Sequence, residues 1–255
     1  MFKHFGTAII SYGPAFRYLF RKGMRRYLLL PVLLNLLLLA ALVYVLMVHS
    51  QPTIKYLGEL LGLGEEWTQS YWLTALQVFL FAVVILFFLQ VYKYLVLILL
   101  APFLAFLSER IEYLETGQVF PFSWGGLLKD LWRAFLINGW NLLRELFITL
   151  FLSILALIPV VGWIAPVLIL GVQSYFYGYG LLDYNAERWR FTFRATERWM
   201  WLHSSATLGT GLLFYLLFLI PVVGWIMAPA WGTAAATLTA LRLRQQAAAQ
   251  GAPAY

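Results

Sequence analysis

The stretch IPVVGWIAP at Ile158–Pro166 recurs as IPVVGWIMAP at Ile220–Pro229, with seven consecutive identical residues. Each copy lies inside a long segment without charge, the first at 146–182 and the second at 199–241. Proline removes a backbone donor and ends a helix, and glycine permits the turn that follows. The repeat therefore predicts two helical hairpins, each with this motif at its tip. The tip residues are Pro159, Gly162, Pro221 and Gly224.

The composition indicates a chain with several membrane spans. Hydrophobic residues make up 62% of the 255 positions and charged residues 11%, whereas a soluble domain carries about 25% charged residues. The absence of cysteine excludes disulfides and thiolate metal sites. The net charge of +7 comes from basic residues beside apolar runs, which is typical of membrane orientation and does not favour nucleic acid as a partner. No small-residue cleavage site follows the first long apolar run, so the N-terminus is predicted to be retained.

Before the repeats, the sequence predicts a surface helix and two long transmembrane helices. Near the N-terminus six apolar residues recur at intervals of three and four, which is typical of a helix lying in a membrane surface: Phe2, Phe5, Ile9, Tyr12, Phe16 and Leu19. Gly13-Pro14 is expected to kink or interrupt this helix. The uncharged segments Leu28–Val48 and 72–92 are each long enough to cross a bilayer. The second is expected to turn at Ala101-Pro102 and continue as a helix to about Glu115.

The chain is interpreted as a single polytopic membrane domain over residues 1–245, followed by a flexible tail at 246–255. A loop and an amphipathic helix with Lys129, Arg133 and Arg144 connect the second long helix to the repeats. The hairpin repeats are expected to occupy approximately 138–183 and 200–245. Apart from Lys55, every lysine and arginine can lie on one side of the membrane, which the positive-inside rule places in the cytoplasm together with both termini.

The depth of the hairpins is open at this stage. The first ascending arm, 146–158, has 13 residues and would rise roughly 20 Å, less than a hydrocarbon core of about 30 Å. Trp163 and Trp225 argue for full, tilted spans, because tryptophan favours the headgroup level. Re-entrant hairpins that stop short of the far face are the preferred interpretation. In the last arm, small residues four apart predict close packing against another helix or subunit: Ala230, Gly232, Ala234, Ala235 and Ala236.

Three segments together resemble the CysZ-type sulfate permeases and the related eukaryotic etoposide-induced endoplasmic-reticulum membrane proteins. KGMRRYLLLPVLLN at Lys22–Asn35 resembles the start of the first span of that family. APFLAFLSERIEYLETG at Ala101–Gly117 resembles the segment after its second long helix. YGLLDYNAERWRFTFRATERW, continued through IPVVGWIMAPAWGTAAAT, resembles its most recognisable part. The resemblance covers most of residues 15–240.

The resemblance implies two long transmembrane helices, partly penetrating hairpins, a homo-oligomer and sulfate uptake across the bacterial inner membrane. The chain departs from the pattern at Asn185, where the sulfate permeases typically carry proline after the Leu-Asp-Tyr motif. The following AERWRFTF is more similar to relatives whose transport activity is only presumed. This departure bears on the substrate more than on the fold.

The first candidate site is Gly23-Met24-Arg25-Arg26, just before the first long helix. Free N–H groups at a helix N-terminus attract anions, and two guanidinium groups could hold a tetrahedral dianion. The resemblance places the sulfate site of the family on this stretch. The alternative is that Arg25 and Arg26 only anchor the helix at lipid headgroups.

The second candidate is a polar group between the hairpins, which could form a gate: Asp183, Tyr184, Glu187 and Arg188. The alternative is a helix N-cap at Asp183 or Asn185 with local ion pairs. Glu109, Arg110 and Glu112 are expected to form a solvated helix face.

No cofactor, metal or nucleotide site is predicted. His4, His49 and His203 lack ligand spacing, and no G-x-x-x-x-G-K-[ST] motif is present. Charges at membrane depth are expected to be almost absent, which favours a channel-like route over proton coupling. The expected polar groups along that route are Asn35, Gln77, Gln90, Gln173, Thr210 and Thr233.

The leading hypothesis is an anion permease for sulfate, with the lipid bilayer as its other partner. The first alternative is a non-transporting membrane protein that binds lipids or partner proteins through its basic N-terminal helix. The second alternative is a lipid-modifying enzyme that would use Asp183 or Glu187 with His203, and it requires those groups to converge within hydrogen-bonding reach. The chain is not expected to be an enzyme.

Overall fold

The computed structural model describes residues 2–21, 98–119, 124–156, 158, 161–220 and 223–251, with Tyr94 and short pieces between 32 and 59. The described residues contain α-helices and one short 3-10 turn but no strand, so the predicted all-α class is confirmed. Several predicted features lie outside the described residues. They are Gly23 to Arg26, most of Leu28–Val48, the second long span at 72–92, Pro159 and Pro221.

Seven α-helices have described bounds. The first two are α1, Phe2–Leu19, and α2, Ala101–Thr116. The next pair is α3, Trp124–Leu155, and α4, Ala165–Arg188, with a 3-10 turn at Val161–Trp163 between them. The last three are α5, Phe193–Leu202, α6, Ser204–Phe218, and α7, Val223–Ala249.

Two helices have the length and apolar composition needed to cross a membrane, over Leu131–Leu155 of α3 and Ala165–Arg188 of α4. The predicted amphipathic helix and the predicted ascending arm are therefore one helix of 32 residues. The expectation of a 13-residue arm is wrong, because the boundary was drawn at the last charge and a helix does not end at a charge. By contrast, α6 has 15 residues and rises about 22 Å.

The glycine of each repeated motif lies directly against the end of the preceding helix. Gly162 donates its N–H to the carbonyl of Ile158 at 2.8 Å, and Gly224 donates to Ile220 at 3.0 Å. A Cβ on Gly162 would lie 2.6 Å from the Ala156 carbonyl oxygen, and one on Gly224 would lie 1.9 Å from that of Leu217. Only glycine permits this approach without displacement, which explains why both copies carry it.

The apolar face of α1 packs against the protein. Ala8, Tyr12, Ala15 and Leu19 are buried, and Tyr12, Ala15 and Leu19 share a core cluster with alanines of α7. The helix continues through Pro14, so the expected interruption does not occur. A proline at this position leaves the carbonyl of Ile10 without its helical donor, and Ile10 lies on the exposed side of the helix.

The small residues of α7 are interior, as predicted. Ala230, Ala234, Ala235 and Ala236 are buried. Gly232 lies against two larger side chains, since a Cβ there would be 2.6 Å from Phe214 and 3.0 Å from Leu181. These residues let α7 approach the other helices closely, in the way that small residues act at helix contacts in membranes.

Candidate functional site

The two repeated units are joined by a close crossing of α4 and α6. Gly178 lies against the carbonyl of Thr207, and Gly211 lies against the carbonyl of Ser174, with Cβ-to-oxygen distances of 1.8 and 1.7 Å for an added methyl. The two backbones therefore touch without intervening side chains. This contact fixes the position of α4 against α6, and α4 carries the polar residues described next.

At one end of α4, Asp183 is bound by an arginine of α3. Arg133 donates from Nη1 to Oδ2 at 3.1 Å and from Nη2 to Oδ1 at 3.0 Å, and Nη2 also donates to Oγ1 of Thr196 at 3.0 Å. Glu187 lies 3.8 Å from the same guanidinium. Asp183 is only 2% exposed, so this two-point contact is a buried ion pair that joins α3, α4 and α5.

One turn later, Arg188 pairs with an acid of α2. Its Nε lies 2.9 Å and its Nη2 lies 2.8 Å from Oε2 of Glu112, and Nη2 also donates to Oδ1 of Asn185 at 2.7 Å. The indole of Trp189 donates to Oε1 of Glu112 at 3.3 Å. Glu112 is fully buried, so its expected place on a solvated face is wrong. Its partner is 76 residues away in the sequence, beyond the reach of local spacing.

The four residues of the predicted gate, Asp183, Tyr184, Glu187 and Arg188, lie together in the last turns of α4, and the first three are buried. The alternative of an N-cap is wrong, because Asp183 and Asn185 lie inside α4 and the helix begins at Ala165. The ion pairs connect different helices and are not local. The two pairs together hold α2, α3, α4 and α5 at one end of the bundle.

A line of buried polar residues runs along α3, which the sequence analysis does not predict. Asn138 and Asn141 are each 2% exposed, and Glu145 is fully buried. Their spacing of three and four places them on one helix face, together with the core residues Ala134 and Ile137. The signal was present in the sequence. A prediction that starts the helix with the uncharged segment at 146 excludes these three residues, because they precede it.

Glu145 lies among phenols. The hydroxyl of Tyr94 donates to Oε2 of its carboxylate, and the carboxylate charge acts on Tyr177 and Tyr215. Glu145 belongs to the membrane-length part of α3. The expectation that charges are absent at depth therefore does not hold for this helix.

Several buried polar atoms of the described residues have no hydrogen-bond partner. They include the hydroxyls of Thr210 and Thr233, two of the residues expected along a route. Asn35, Gln77 and Gln90 lie outside the described residues, and Gln173 is half-buried. Unpartnered atoms not foreseen are Asn138 Oδ1, Asn141 Nδ2, Thr149 Oγ1 and Ser174 Oγ.

Helix α1 is bonded to both helices of the second unit. The hydroxyl of Tyr12 donates to the carbonyl of Thr210 at 2.5 Å, and the indole of Trp231 donates to the carbonyl of Tyr12 at 2.9 Å. Arg242 of α7 donates to Oγ of Ser11 at 3.0 Å. These bonds hold the N-terminal helix in place, immediately before the predicted anion-binding residues.

Histidines 4 and 203 meet where α1 reaches the start of α6. Their rings stack at 5.6 Å, and His203 also stacks on Trp199 at 4.4 Å. Burial lowers the pKa of His203, the nearby His4 lowers it further, and the bond from Nδ1 to the Trp199 carbonyl opposes both. On α2, burial raises the pKa of Glu109 while Arg188 opposes the rise. The described residues contain no group of three metal-ligating side chains.

The lowered pKa of His203 predicts that acid destabilises the fold. The unfolded state takes up a proton near pH 6.5 and the folded state only at lower pH, so this stability contribution is present above about pH 6.5 and is lost as the pH falls below it. We expect the melting temperature in detergent to fall between about pH 7 and pH 5. The fall should be smaller in His203→Gln. An equal fall in both proteins would contradict the assignment.

These features define a class: an all-helical membrane protein with ion pairs and unpartnered polar groups buried among its helices. The family model described as "Sulfate transporter CysZ/Etoposide-induced protein 2.4" matches residues 11–229. The chain belongs to this family, which confirms the resemblance noted from the sequence.

Individual relatives cover nearly the whole chain. A protein named "Sulfate transporter CysZ" from Pseudomonas fluorescens (strain Pf0-1) is 32% identical over 87% of this chain and 88% of its own. Proteins of the same name from Pseudomonas aeruginosa (strain LESB58) and Pectobacterium atrosepticum are 29% and 26% identical, each over 89% of this chain and over 91% and 82% of their own. The family is one of transporters, in keeping with the expectation that the chain is not an enzyme.

Proposed function

We propose that this chain is a permease of the bacterial inner membrane that takes up sulfate by a channel-like route. One observation carries the proposal: α3 is long and apolar enough to cross a membrane, yet it buries Asn138, Asn141 and Glu145 on its inner face. A helix that served only as an anchor would gain nothing from such residues, because burying polar groups costs free energy. The choice of sulfate as the substrate is supported by the names of the relatives.

In this proposal, Gly23, Met24, Arg25 and Arg26 bind the anion at the cytoplasmic end of the first long helix, where it leaves the route. The support is chemical, because guanidinium groups beside free N–H groups suit a tetrahedral dianion. Asp183, Tyr184, Glu187 and Arg188 form the gate, since the ion pairs of Asp183 and Arg188 join α4 to α3 and to α2.

The second hairpin is proposed to enter the membrane without crossing it, with both termini in the cytoplasm. For the second hairpin the support is the short α6, which rises about 22 Å against a hydrocarbon core of about 30 Å. For the first hairpin, Trp163 at the tip is 88% exposed and tryptophan favours the headgroup level. Both arms of that hairpin are also long enough to cross, so the first hairpin is proposed to span the membrane, as in the alternative interpretation. The many exposed apolar side chains on α3, including Trp132 and Phe147, suit lipid or a second copy in a homo-oligomer.

The test is sulfate binding to the purified protein in detergent, compared with Arg25→Ala/Arg26→Ala. Each charge-assisted hydrogen bond contributes about 1.5–3 kcal/mol, so the double variant should bind at least about tenfold more weakly. Arg17→Ala/Arg21→Ala is the matched control, because it removes the same charge from exposed positions of the same segment. Phosphate and chloride serve as competitors.

If sulfate binding is weakened equally in both double variants, the effect comes from the net charge of the segment and not from a specific site at Arg25 and Arg26. Absence of saturable binding, and of sulfate flux in proteoliposomes, would instead favour a membrane protein that binds lipids or partners. Flux that requires an imposed proton gradient would contradict the channel-like route. Glu145 would then be the acid at depth to examine first.

A further inference from the structure

The short helix α5 lies between the ends of two apolar helices. The helix α4, Ala165–Arg188, is long and apolar enough to cross a membrane, and α5 begins at Phe193, directly after the turn that ends α4. The apolar helix α6 begins at Ser204, immediately after α5. A helix that crosses a bilayer ends near the headgroups, so α5, about 15 Å long, lies at the level of the membrane surface.

Helix α5 buries one face and exposes the other. Thr196, Trp199 and Met200 are buried against the protein. Side chains three and four positions apart share a helix face, and the opposite face carries two arginines and two large apolar residues at that spacing. These exposed residues are Arg194, Arg198, Trp201 and Leu202.

The positive charge on this side of the molecule is not neutralised within the described residues. Arg190, Arg194 and Arg198 are exposed, and their side chains have no ion-pair partner among those residues. The acid of α5, Glu197, is bound to Arg144 at 2.5 Å. An anion from outside the chain can therefore bind these guanidinium groups without competing with an internal carboxylate.

The apolar residues of the same face indicate what kind of anion this is. Trp201 is 75% exposed and Leu202 is 52% exposed. Tryptophan favours the headgroup level of a membrane, and basic residues beside large apolar ones are typical of a helix that lies on an anionic lipid surface. A free phosphate ion would use the arginines and leave Trp201 and Leu202 in water, whereas a phospholipid contacts both.

The position of Arg190 adds a further observation. Its φ is +58°, and among the described residues it is the one non-glycine with a positive φ. The turn closes α4 through bonds from the N–H of Arg190 to the carbonyl of Glu187 at 2.9 Å and from Phe191 to Ala186 at 3.0 Å. Glycine is the usual residue at this place in such a turn, because the left-handed conformation is unfavourable for other residues. An arginine kept in a strained position points to a use for its side chain.

We propose that the outward surface of α5 is a binding site for an anionic phospholipid such as phosphatidylglycerol. The residues of this site are Arg190, Arg194, Arg198, Trp201 and Leu202. The guanidinium groups bind the phosphodiester through charge-assisted hydrogen bonds, and the two apolar residues contact the start of the acyl chains. Phosphatidylcholine binds less tightly, because its choline cation offsets the charge of its phosphate.

A lipid at this site also supports the buried ion pair of α4. On the opposite face of α5, Oγ1 of Thr196 accepts from Arg133, the partner of Asp183. Bound lipid therefore holds α5 against the end of the bundle where this pair lies. Since a ligand that binds only the folded state stabilises it, phosphatidylglycerol should raise the melting temperature more than phosphatidylcholine does.

The experiment titrates the purified full-length chain, in one nonionic detergent, with phosphatidylglycerol or phosphatidylcholine of the same acyl chains. Native mass spectrometry counts the retained lipid. The wild-type chain should bind phosphatidylglycerol at least about tenfold more tightly. Each basic residue near a lipid surface contributes about fivefold to binding, so Arg190→Gln/Arg194→Gln/Arg198→Gln should weaken phosphatidylglycerol binding at least about tenfold and abolish the preference.

The control is Arg17→Gln/Arg21→Gln/Lys129→Gln, which removes the same charge from exposed positions outside α5 and should keep the preference. Trp201→Gln/Leu202→Gln keeps the charges of the site and should still weaken lipid binding. Glycerophosphoglycerol, the headgroup without acyl chains, and inorganic phosphate should not displace the lipid at equal concentration. If the triple variant of α5 does not fold, Arg198→Gln alone should weaken binding about fivefold.

Several outcomes would overturn the lipid site. They are equal binding of the two lipids by the wild-type chain, equal losses in the two triple variants, and no loss in Trp201→Gln/Leu202→Gln. Displacement by inorganic phosphate or glycerophosphoglycerol would show a site for a free phosphate ester and would also overturn it. The inference does not depend on the transported anion, so none of these results bears on sulfate flux, and a chain that transports no sulfate would leave the lipid site standing.

Discussion

Replacement of Gly211 by alanine is expected to destabilise the bundle more than any other single methyl addition at a described glycine. The new Cβ would lie 1.7 Å from the carbonyl oxygen of Ser174 and 2.5 Å from the amide nitrogen of Gly178. Both atoms are backbone, so no side-chain rotation relieves the overlap. The two helices must move apart, and overpacking of this kind costs typically about 1–3 kcal/mol.

The measurement is the melting temperature and the denaturant midpoint in one detergent, for Gly211→Ala against Gly171→Ala. Gly171 lies on α4 near the same crossing, but a Cβ there meets nothing within 4 Å. Since alanine is favoured over glycine in a helix by about 0.5–1 kcal/mol, the control should be neutral or slightly stabilising. Equal behaviour of the two variants would mean that α4 and α6 do not cross at these residues.

The crossing of α4 and α6 shows that the sequence does not identify the partner of a helix. Small residues four apart were recognised in α7, where Ala230, Ala234 and Ala236 are buried. The pair Ser174 and Gly178, and the pair Thr207 and Gly211, have the same spacing and make the closer contact. Spacing shows that a helix can approach another closely, but it does not show which helix the partner is.

The spacing of apolar residues predicted a helix boundary better than the absence of charge did. The interval of three and four residues located α1, because that rule depends only on helix geometry. Of the residues in that pattern Tyr12 and Leu19 are buried, whereas Phe16 is exposed, so the packed face lies partly to one side of the predicted one. The absence of charge was used to mark where a helix begins and failed at α3, which runs through Arg133, Arg144 and Glu145. Arg144 is satisfied by Glu197 at 2.5 Å. A charge with a partner does not end a helix, and that partner is known only once the fold is known.

The candidate site shows the same limit. The sequence predicts Asp183 and Arg188 as part of one polar group, but their partners Arg133 and Glu112 come from other helices. Four neighbouring residues of mixed charge suggested a local network and an N-cap, since capping depends only on nearby atoms. The buried pairs depend on tertiary packing. A pattern in a single sequence does not show which helices will pack together.

The second large effect is expected at the pair Glu112 and Arg188. Glu112→Gln leaves a guanidinium beside a neutral amide in a place where the acid is fully buried. Removing one partner of a buried pair destabilises by about 3–5 kcal/mol, and the indole of Trp189 also loses a charged acceptor. Glu109→Gln is the control, because Glu109 lies on the same helix at a half-buried position and should cost far less.

A double variant separates a structural pair from a gate. Glu112→Leu/Arg188→Met replaces both charges by apolar groups, and such replacements are often neutral or stabilising, so much of the stability should return. If the pair only holds α2 to α4, anion flux in proteoliposomes should return with it. If the pair belongs to the gate, the stable double variant should still show altered flux, because the helices then lack the charges whose rearrangement opens the path. A double variant as unstable as Glu112→Gln would show that the loss comes from groups left without partners, such as the side-chain carbonyl of Asn185 and the indole of Trp189, and would contradict the unpaired charge as its cause.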